Sequence, residues 1–290
     1  MKPAPFEYIR PSTLAEACRL LAENEDALPI AGGQTLVPML AMRLARPAIL
    51  VDISRLPELS GIRHEGDFIV IGAATRQAEA EISEIVKTHV PLLAKALPWV
   101  GHQPTRNRGT IGGSIANADP AAEIPLVART LDAQLVVESA RAQQIIAARD
   151  FFLGSMSTAL PAGGCLREVR FPIWQGERIG VGFHEISARR SDFAYVAAAA
   201  QLSMQGSECR DIALGLGGLG DRPIAIDMSK LIGCSLNERS IIDATQAAVE
   251  SAISELDMTS DLHASASYRR RLALTLAGCA VSDAVETARS

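Results

Sequence analysis

Cysteine is scarce: Cys18, Cys165, Cys209, Cys234 and Cys279 are the only five in 290 residues. They are scattered, and none stands in a C-x-x-C spacing. That excludes an iron–sulfur binding run and a zinc site on this chain, and an odd number does not form a disulfide framework. All five are expected as buried or chemically neutral thiols, because free cysteine packs as a small hydrophobe. The five histidines (His64, His89, His102, His184 and His263) show no metal-ligand spacing, so no metal site is expected. Extended Lys/Arg runs are missing as well. With 28 basic against 33 acidic residues and a net charge of −5, the chain lacks the basic footprint that nucleic acid or an anionic membrane requires. No segment approaches the roughly 18 uninterrupted apolar residues of a membrane span, and "MKPAPFEYIRPSTLAEA" has no signal-peptide core. A cytoplasmic protein is expected.

What is present is an ordinary globular composition, 48% hydrophobic and 21% charged. The length suits one large or two to three small domains. Thr13 followed by Glu16 reads as a capping box, and Leu14, Ala17, Cys18 and Leu21 share one helical face. "ALPIAGG", "AILVDI" (48–53), "FIVIGA" (68–73), "LVV" (135–137) and "LREVRF" (166–171) read as strands, with helices over 76–87 and 90–97. Composition shifts around "FPIWQGERIGVG" (171–182), which predicts a domain boundary. Beyond it, "AYVAAAAQLSM" and "DIALGLGGLG" read as adjacent strands, with "AAAA" as close packing in a sheet. Two helices follow, over about 240–255 (Ser240 and Asp243 as its capping box) and 265–285, the latter carrying an exposed "YRRR". The pattern is α+β in two parts.

Two glycine loops carry the chemistry. In "AGGQT" (31–35) a short apolar strand ends in Gly32 and Gly33, where positive φ and close backbone approach cost little. Successive N–H groups in such a turn converge as an anion-binding nest. Gln34 and Thr35 add side-chain donors. "TIGGS" (110–114) repeats the chemistry, with hydroxyls from Thr110 and Ser114 flanking Gly112 and Gly113. Neither loop is followed by G-K-[ST] and neither fits G-x-G-x-x-G, which excludes a Walker A loop and a Rossmann fingerprint. Each alone is equally a tight turn before a capped helix. Together they suit one diphosphate held from two sides. Asp119 and Pro120 read as N-cap and first residue of the next helix, with Ile115–Asp119 extended and Asn117 and Glu123 free to bond a ribose or adenine.

"AGGQTLVPML", "RNRGTIGGSIANADPAAEIP" and "ARRSDFA" together resemble the FAD-binding medium subunit of the molybdenum hydroxylase family, which includes carbon monoxide dehydrogenase, quinoline oxidoreductase and xanthine dehydrogenase. The resemblance covers nearly the whole chain. It implies a two-lobed FAD-binding domain of the vanillyl-alcohol-oxidase type over 1–175 (lobes 1–55 and 56–175), then a smaller sheet-plus-helices domain over 176–290. It also implies that Ile30, Ala31, Gly32, Gly33, Gln34, Thr35 and Leu36, with Thr110, Ile111, Gly112, Gly113 and Ser114, hold the FAD diphosphate. By the same resemblance Asn117 and Glu123 contact the ribose and adenylate side. Val100 and Leu166 line the cofactor, Asp192 and Phe193 flank the isoalloxazine ring, and His102 and His184 are near it or serve the surface. Phe193 lacks the hydroxyl that some members carry there. The cysteine-bearing insertion of the benzoyl-CoA-reducing branch is missing.

The implied activity is electron transfer, with no catalytic acid, base or nucleophile of this chain's own. A large partner subunit would carry the molybdopterin cofactor, and a small one two [2Fe–2S] clusters, in a dimer of heterotrimers. FAD would pass the electrons outward, during hydroxylation of an N-heteroaromatic compound. Two alternatives stay open: a self-sufficient FAD oxidoreductase of the same fold, and a non-catalytic nucleotide-binding adaptor. Arg189–Arg190 and Arg269–Arg271 are either subunit contacts or solvated surface.

Overall fold

The computed structural model describes residues 2–235 and 238–290, without the side chains of 238–240. The first lobe is a parallel sheet of β1 (Glu7–Ile9), β2 (Ala27–Ile30) and β3 (Ile49–Asp52) in the order β1-β3-β2. Between these strands run α1 (Leu14–Glu23) and α2 (Leu36–Ala41). Thr13 caps α1 by accepting from the Glu16 amide at 3.1 Å. Glu16 does not reach back to Thr13 as a capping box would. Its carboxylate accepts from the Ser12 amide at 2.7 Å, one residue earlier. The predicted face, Leu14, Ala17, Cys18 and Leu21, is buried against Val51, Leu56 and Leu59.

The second lobe is an antiparallel sheet: β4 (Ile62–Glu65), β5 (Phe68–Gly72), β6 (Gln134–Glu138), β7 (Gln143–Ala147) and, later in the chain, β10 (Cys165–Pro172). Its order is β4-β5-β10-β6-β7. Six short helices lie between β5 and β6: α3 (Gln77–Ile82), α4 (Glu84–His89), α5 (Pro91–Ala96), α6 (Gln103–Arg106), α7 (Ile111–Asn117) and α8 (Glu123–Thr130). The helix expected over 76–87 is thus two, because the Ser83 hydroxyl accepts from the Val86 amide and starts α4 afresh. A helical turn, α9 (Ala148–Phe151), and a hairpin of β8 (Phe152–Gly154) and β9 (Ser157–Thr158) lead into β10.

Beyond β10 comes an antiparallel sheet of β11 (Arg178–Ser187), β12 (Ala194–Gln205), β13 (Glu208–Gly217) and β14 (Ile224–Ile226), backed by α10 (Glu238–Ile253) and α11 (Ala266–Arg289). The alanines of β12 alternate between two cores. Ala197 and Ala199 join the second lobe, while Ala198 and Ala200 face the α10/α11 side. On β11, Gly180 and Gly182 have no room for a Cβ because the backbone of α11 at Ala284 and Ala280 touches them. Small residues here let a sheet be covered on both faces. The expected capping box of α10 lies outside the described residues: α10 already includes Ser240, whose side chain is not described.

One expectation about exposure is corrected. Arg269 of "YRRR" is not exposed; it is 4% accessible. Its Nη1 donates to the carbonyls of Tyr195 (2.5 Å) and Gly218 (2.8 Å), and Nη2 to the Asp261 carboxylate at 2.7 Å. Of the cysteines, Cys18, Cys165 and Cys209 are buried, but Cys234 and Cys279 are exposed.

Candidate functional site: two glycine loops and a carboxyl pair

The first loop leaves β2 at Ile30 and enters α2 at Leu36. Gly33 has φ +70°, which glycine supplies without strain, whereas Gly32 is required by space. A Cβ on Gly32 would collide with the carbonyl oxygen of Arg108 and stand 2.8 Å from the Cα of Gly109. The two sequence-predicted loops are therefore in contact, through the residues that lead into the second. Among the described residues, the amides of Gly32, Gly33, Gln34 and Thr35 have no acceptor. The Gln34 amide side chain turns back to the Gly32 carbonyl at 3.2 Å. Ile30 and Leu36 are half-buried beside the loop.

The second loop is built differently from its reading in sequence. "TIGGS" is not a turn but the start of α7, with Thr110 as N-cap, its Oγ1 accepting from the Gly113 amide at 3.1 Å. The amides are consumed internally: Ile111 donates to Thr75 O, Gly112 to Ala73 O and Ser114 to Thr110 O. Ile111 is fully buried. A Cβ on Gly112 would stand 2.6 Å from the Cα of Ala73, so this glycine allows α7 to lie on the chain leaving β5. The segment 115–119 is not extended, being helical to Asn117, with Ala118 left-handed (φ +49°). Asp119 and Pro120 do not open the next helix. Asp119 Oδ1 accepts from the Ala121 amide at 2.9 Å in a turn, and α8 starts at Glu123 behind Ala122. What α7 leaves available are the side chains of Ser114 and Asn117, half-exposed and without a hydrogen bond among the described residues.

A cavity of about 310 Å³ lies between the two lobes at the first loop. Ala31, Gly32 and Gly33 form one wall, and Arg55, Arg76 and Arg108 others. Burial, with Arg108 and Arg55 close by, pulls the Arg76 guanidinium below its ordinary value. One carboxylate, Asp52, lines the cavity. Burial alone would raise its pKa, but hydrogen bonds from Ser54, Tyr8 and Arg10 outweigh that and hold it below the usual range. Unpaired amides and excess guanidinium charge make this wall suited to a polyanion. Sequence reading missed the four lining arginines, Arg10, Arg55, Arg76 and Arg108, because they come from four separate segments; only Arg108 was adjacent to a quoted glycine motif.

The remaining expected residues fall in two places. Val100 and Leu166 are buried in the core of the second lobe. Arg106 holds the segment leaving Val100, donating to the carbonyls of Val100 (3.2 Å) and Gly101 (3.0 Å) while bidentate to Glu81. Asp192 and Phe193 line a second cavity of about 740 Å³ with Asp119, Pro120 and Gly218. Phe193 is 71% exposed there. His102 is exposed ahead of α6. His184 projects to the other face of its sheet, its Nε2 2.9 Å from the Asp283 carboxylate of α11. Burial pushes the Glu123 carboxyl up to about 7, with Asp119 adding to the rise and Arg106 opposing it. Glu185 of β11, which sequence reading passed over, is 7% exposed, and neither of its carboxyl oxygens has a partner among the described residues.

A parallel lobe and an antiparallel lobe touching at two glycine loops, with a basic, amide-lined cavity between them, define a flavin-nucleotide-binding protein with an appended sheet-and-helix unit. Residues 4–174 match the family described as the FAD binding domain in molybdopterin dehydrogenase, and residues 182–284 the CO dehydrogenase flavoprotein C-terminal domain. The chain belongs to this family, the FAD-carrying medium subunits of molybdenum hydroxylases. It is 34% identical to the glyceraldehyde dehydrogenase medium chain of Sulfolobus acidocaldarius, covering 95% of this chain and 97% of that one. It is 36% identical to subunit alpha of the 6-hydroxypseudooxynicotine dehydrogenase complex of Paenarthrobacter nicotinovorans, over 100% of this chain and 97% of that one. The carbon monoxide dehydrogenase of Hydrogenophaga pseudoflava that lacks the Mo-pyranopterin moiety superimposes with a TM-score of 0.93 at 32% identity, over 99% of this chain and 100% of that chain. No helix among the described residues is long and apolar enough to cross a membrane.

Proposed function

We propose that this chain is the electron-transfer flavoprotein subunit of a cytoplasmic, heteromeric molybdenum hydroxylase. The observation that carries the reading is the row of unpaired amides from Gly32 to Thr35, of which Gly32 and Gly33 line an arginine-rich cavity, an arrangement that suits the FAD diphosphate. On this reading the cofactor is held by residues 30–36 and, from α7, by the side chains of Ser114 and Asn117 more than by the amides of Gly112 and Gly113. Thr110 and Ile111 serve by building the start of α7, Val100 and Leu166 by walling the cleft, and Glu123 by bonding the adenylate side. Asp192 and Phe193 border the flavin's exit face. When bound, FAD supplies reversible acceptance of one or two electrons. The protein's own part is to fix its position between the donor subunit and an outside acceptor.

The partners in this proposal are a large subunit with the molybdopterin cofactor and a small subunit with two [2Fe–2S] clusters, in a dimer of heterotrimers. The substrate site is on the large subunit and takes an N-heteroaromatic compound. The relative that dehydrogenates 6-hydroxypseudooxynicotine supports that choice of substrate. The FAD-binding domain runs over 1–175 and the C-terminal domain over 176–290. The test is the visible absorption spectrum of the purified chain, with chromatography of what acid releases. Released FAD, with no turnover until partner subunits are added, supports the reading. Turnover by the chain alone overturns it in favour of a self-sufficient oxidoreductase, and a chain that takes up no added FAD overturns it in favour of an adaptor.

A further inference from the structure

The cavity at the junction of the lobes carries charge that the fold does not balance. Of its four arginines, Arg10 is accounted for: its Nε lies 3.2 Å from the Asp52 carboxylate, and its Nη2 donates to the Tyr8 hydroxyl at 3.1 Å. Arg55, Arg76 and Arg108 have no ion pair among the described residues. The Arg55 and Arg108 guanidinium groups make no hydrogen bond there either, and both residues are exposed. Arg76 is half-buried, and its Nη1 donates to the Arg108 carbonyl. That carbonyl is the one against which the Gly32 α-carbon lies. The Arg76 guanidinium is thereby held where the unpaired amides of Gly32 and Gly33 line the cavity. The three cations also act on one another. Arg108 and Arg55 add to the burial that disfavours charge on Arg76, and Asp52 offsets part of it. Like charges gathered without a counter-charge are destabilising, and a polyanion seated among them relieves the repulsion.

We infer that Arg55, Arg76 and Arg108 are diphosphate-binding residues, acting from the cavity walls beside the one that carries the Gly32 and Gly33 amides. This deepens the reading given under Proposed function and rests on it. Of FAD, only the diphosphate is charged near neutral pH, so charge alone directs that part of the cofactor to this cavity. A guanidinium presents a planar fork of N–H donors that matches phosphate oxygens in pairs. The amides supply a nest for one anionic oxygen cluster, and the arginines add the charge that a second phosphate needs. They come from both lobes: Arg55 follows β3 in the first, while Arg76 and Arg108 precede α3 and α7 in the second. The diphosphate thus bridges the lobes by charge. Any ligand that carries it, with or without a flavin, fits the cavity, and ADP is the simplest such nucleotide.

The test uses the full chain, stripped of flavin and titrated with FAD and with ADP, which carries the diphosphate but no flavin. The double variant Arg55→Met, Arg108→Met removes two exposed guanidiniums that bond nothing in the fold. Arg76→Met and Arg76→Lys address the third, and Arg210→Met, at an exposed position on β13, controls for net charge. The double variant should weaken FAD and ADP binding by the same factor, roughly tenfold or more, through the loss of charge-assisted hydrogen bonds. Its flavin-free thermal midpoint should match or exceed the parent's, because uncompensated like charges have been removed. Arg76→Lys should bind both ligands better than Arg76→Met, and Arg210→Met should bind them as the parent does. Added salt should weaken FAD binding in the parent, and less so in the double variant, where fewer charges remain to be screened. FAD affinity unchanged in both the double variant and Arg76→Met overturns the inference while leaving the FAD-subunit reading standing. So does a loss for FAD that ADP does not share, or one that Arg210→Met reproduces. A parent chain that binds neither FAD nor ADP overturns both.

Discussion

Gly32 and Arg108 come from different lobes, yet the α-carbon of the first lies against the carbonyl of the second so closely that no Cβ fits between them. This contact fixes the spacing of the two glycine loops, and with it the width of the arginine-rich cavity at their junction. Gly32→Val should therefore prise the lobes apart at that point. We expect a cost of about 1–3 kcal/mol from overpacking and a purified chain with little or no FAD. Absorbance at the flavin band relative to protein, read beside the thermal midpoint, checks both. FAD content equal to the parent's would show that the loops tolerate separation.

Gly112 and Gly113 are adjacent but serve different ends, and substitution should separate them. A Cβ on Gly112 meets the Ala73 backbone, so Gly112→Val should lose the fold of the second lobe. At Gly113 a Cβ would stand 2.6 Å from the Thr110 hydroxyl, which must then give up its cap, a loss of about 1 kcal/mol. Gly113→Val should keep most of its circular dichroism signal and fail to retain FAD. If both variants melt alike, the division of roles is wrong.

The strands β2, β3, β5, β6, β10, β12 and β13 and the first glycine loop were legible in sequence because both signals are local: short apolar runs, and paired glycines at the end of β2. The start of α7 was not. "TIGGS" carries two glycines, poor helix formers, and only the docking of Gly112 on Ala73 makes a helix affordable there. Asp119 and Pro120 have the composition of a helix start, but the turn they form is closed by Ala122 N to Asp119 O, which delays α8 until Glu123. Glu185 was invisible for another reason. In "GFHEIS" it alternates with His184, and only the assembled sheet shows which of the two faces the cofactor domain and which meets Asp283.

Arg269 should prove a structural keystone of the C-terminal domain. Arg269→Met leaves the buried carbonyl of Gly218 and the half-buried one of Tyr195 without their donor. Each orphaned acceptor costs about 1–3 kcal/mol, so a drop of several degrees in the thermal midpoint is expected. Arg271→Met, at an exposed position on the same helix, should stay within about 0.5 kcal/mol of the parent. Paired melts of the two variants measure the difference. Equal midpoints would mean that Arg269 is replaceable by water.

The carboxyl pair predicts how stability of the flavin-free chain depends on pH. Glu123 is raised to about 7 and Glu185 to about 8, against an unfolded value near 4.3. The folded chain therefore holds protons that the unfolded chain has already released. Their contribution to stability is complete below pH 4.3 and is lost as pH climbs through 7 and 8, after which the curve flattens. The charged groups acting on the pair are Asp119, which adds to the rise at Glu123, and Arg106, which opposes it. Because the two acids interact, their shifts do not add, and the total is on the order of a few kcal/mol. Denaturant midpoints measured from pH 5 to 9 should fall across that window in the parent. In Glu185→Gln the fall should shrink and centre on the remaining acid, Glu123. A parent profile flat between pH 5 and 8 would mean that both carboxyls ionise with ordinary ease, and that solvent reaches the interface between α8 and β11.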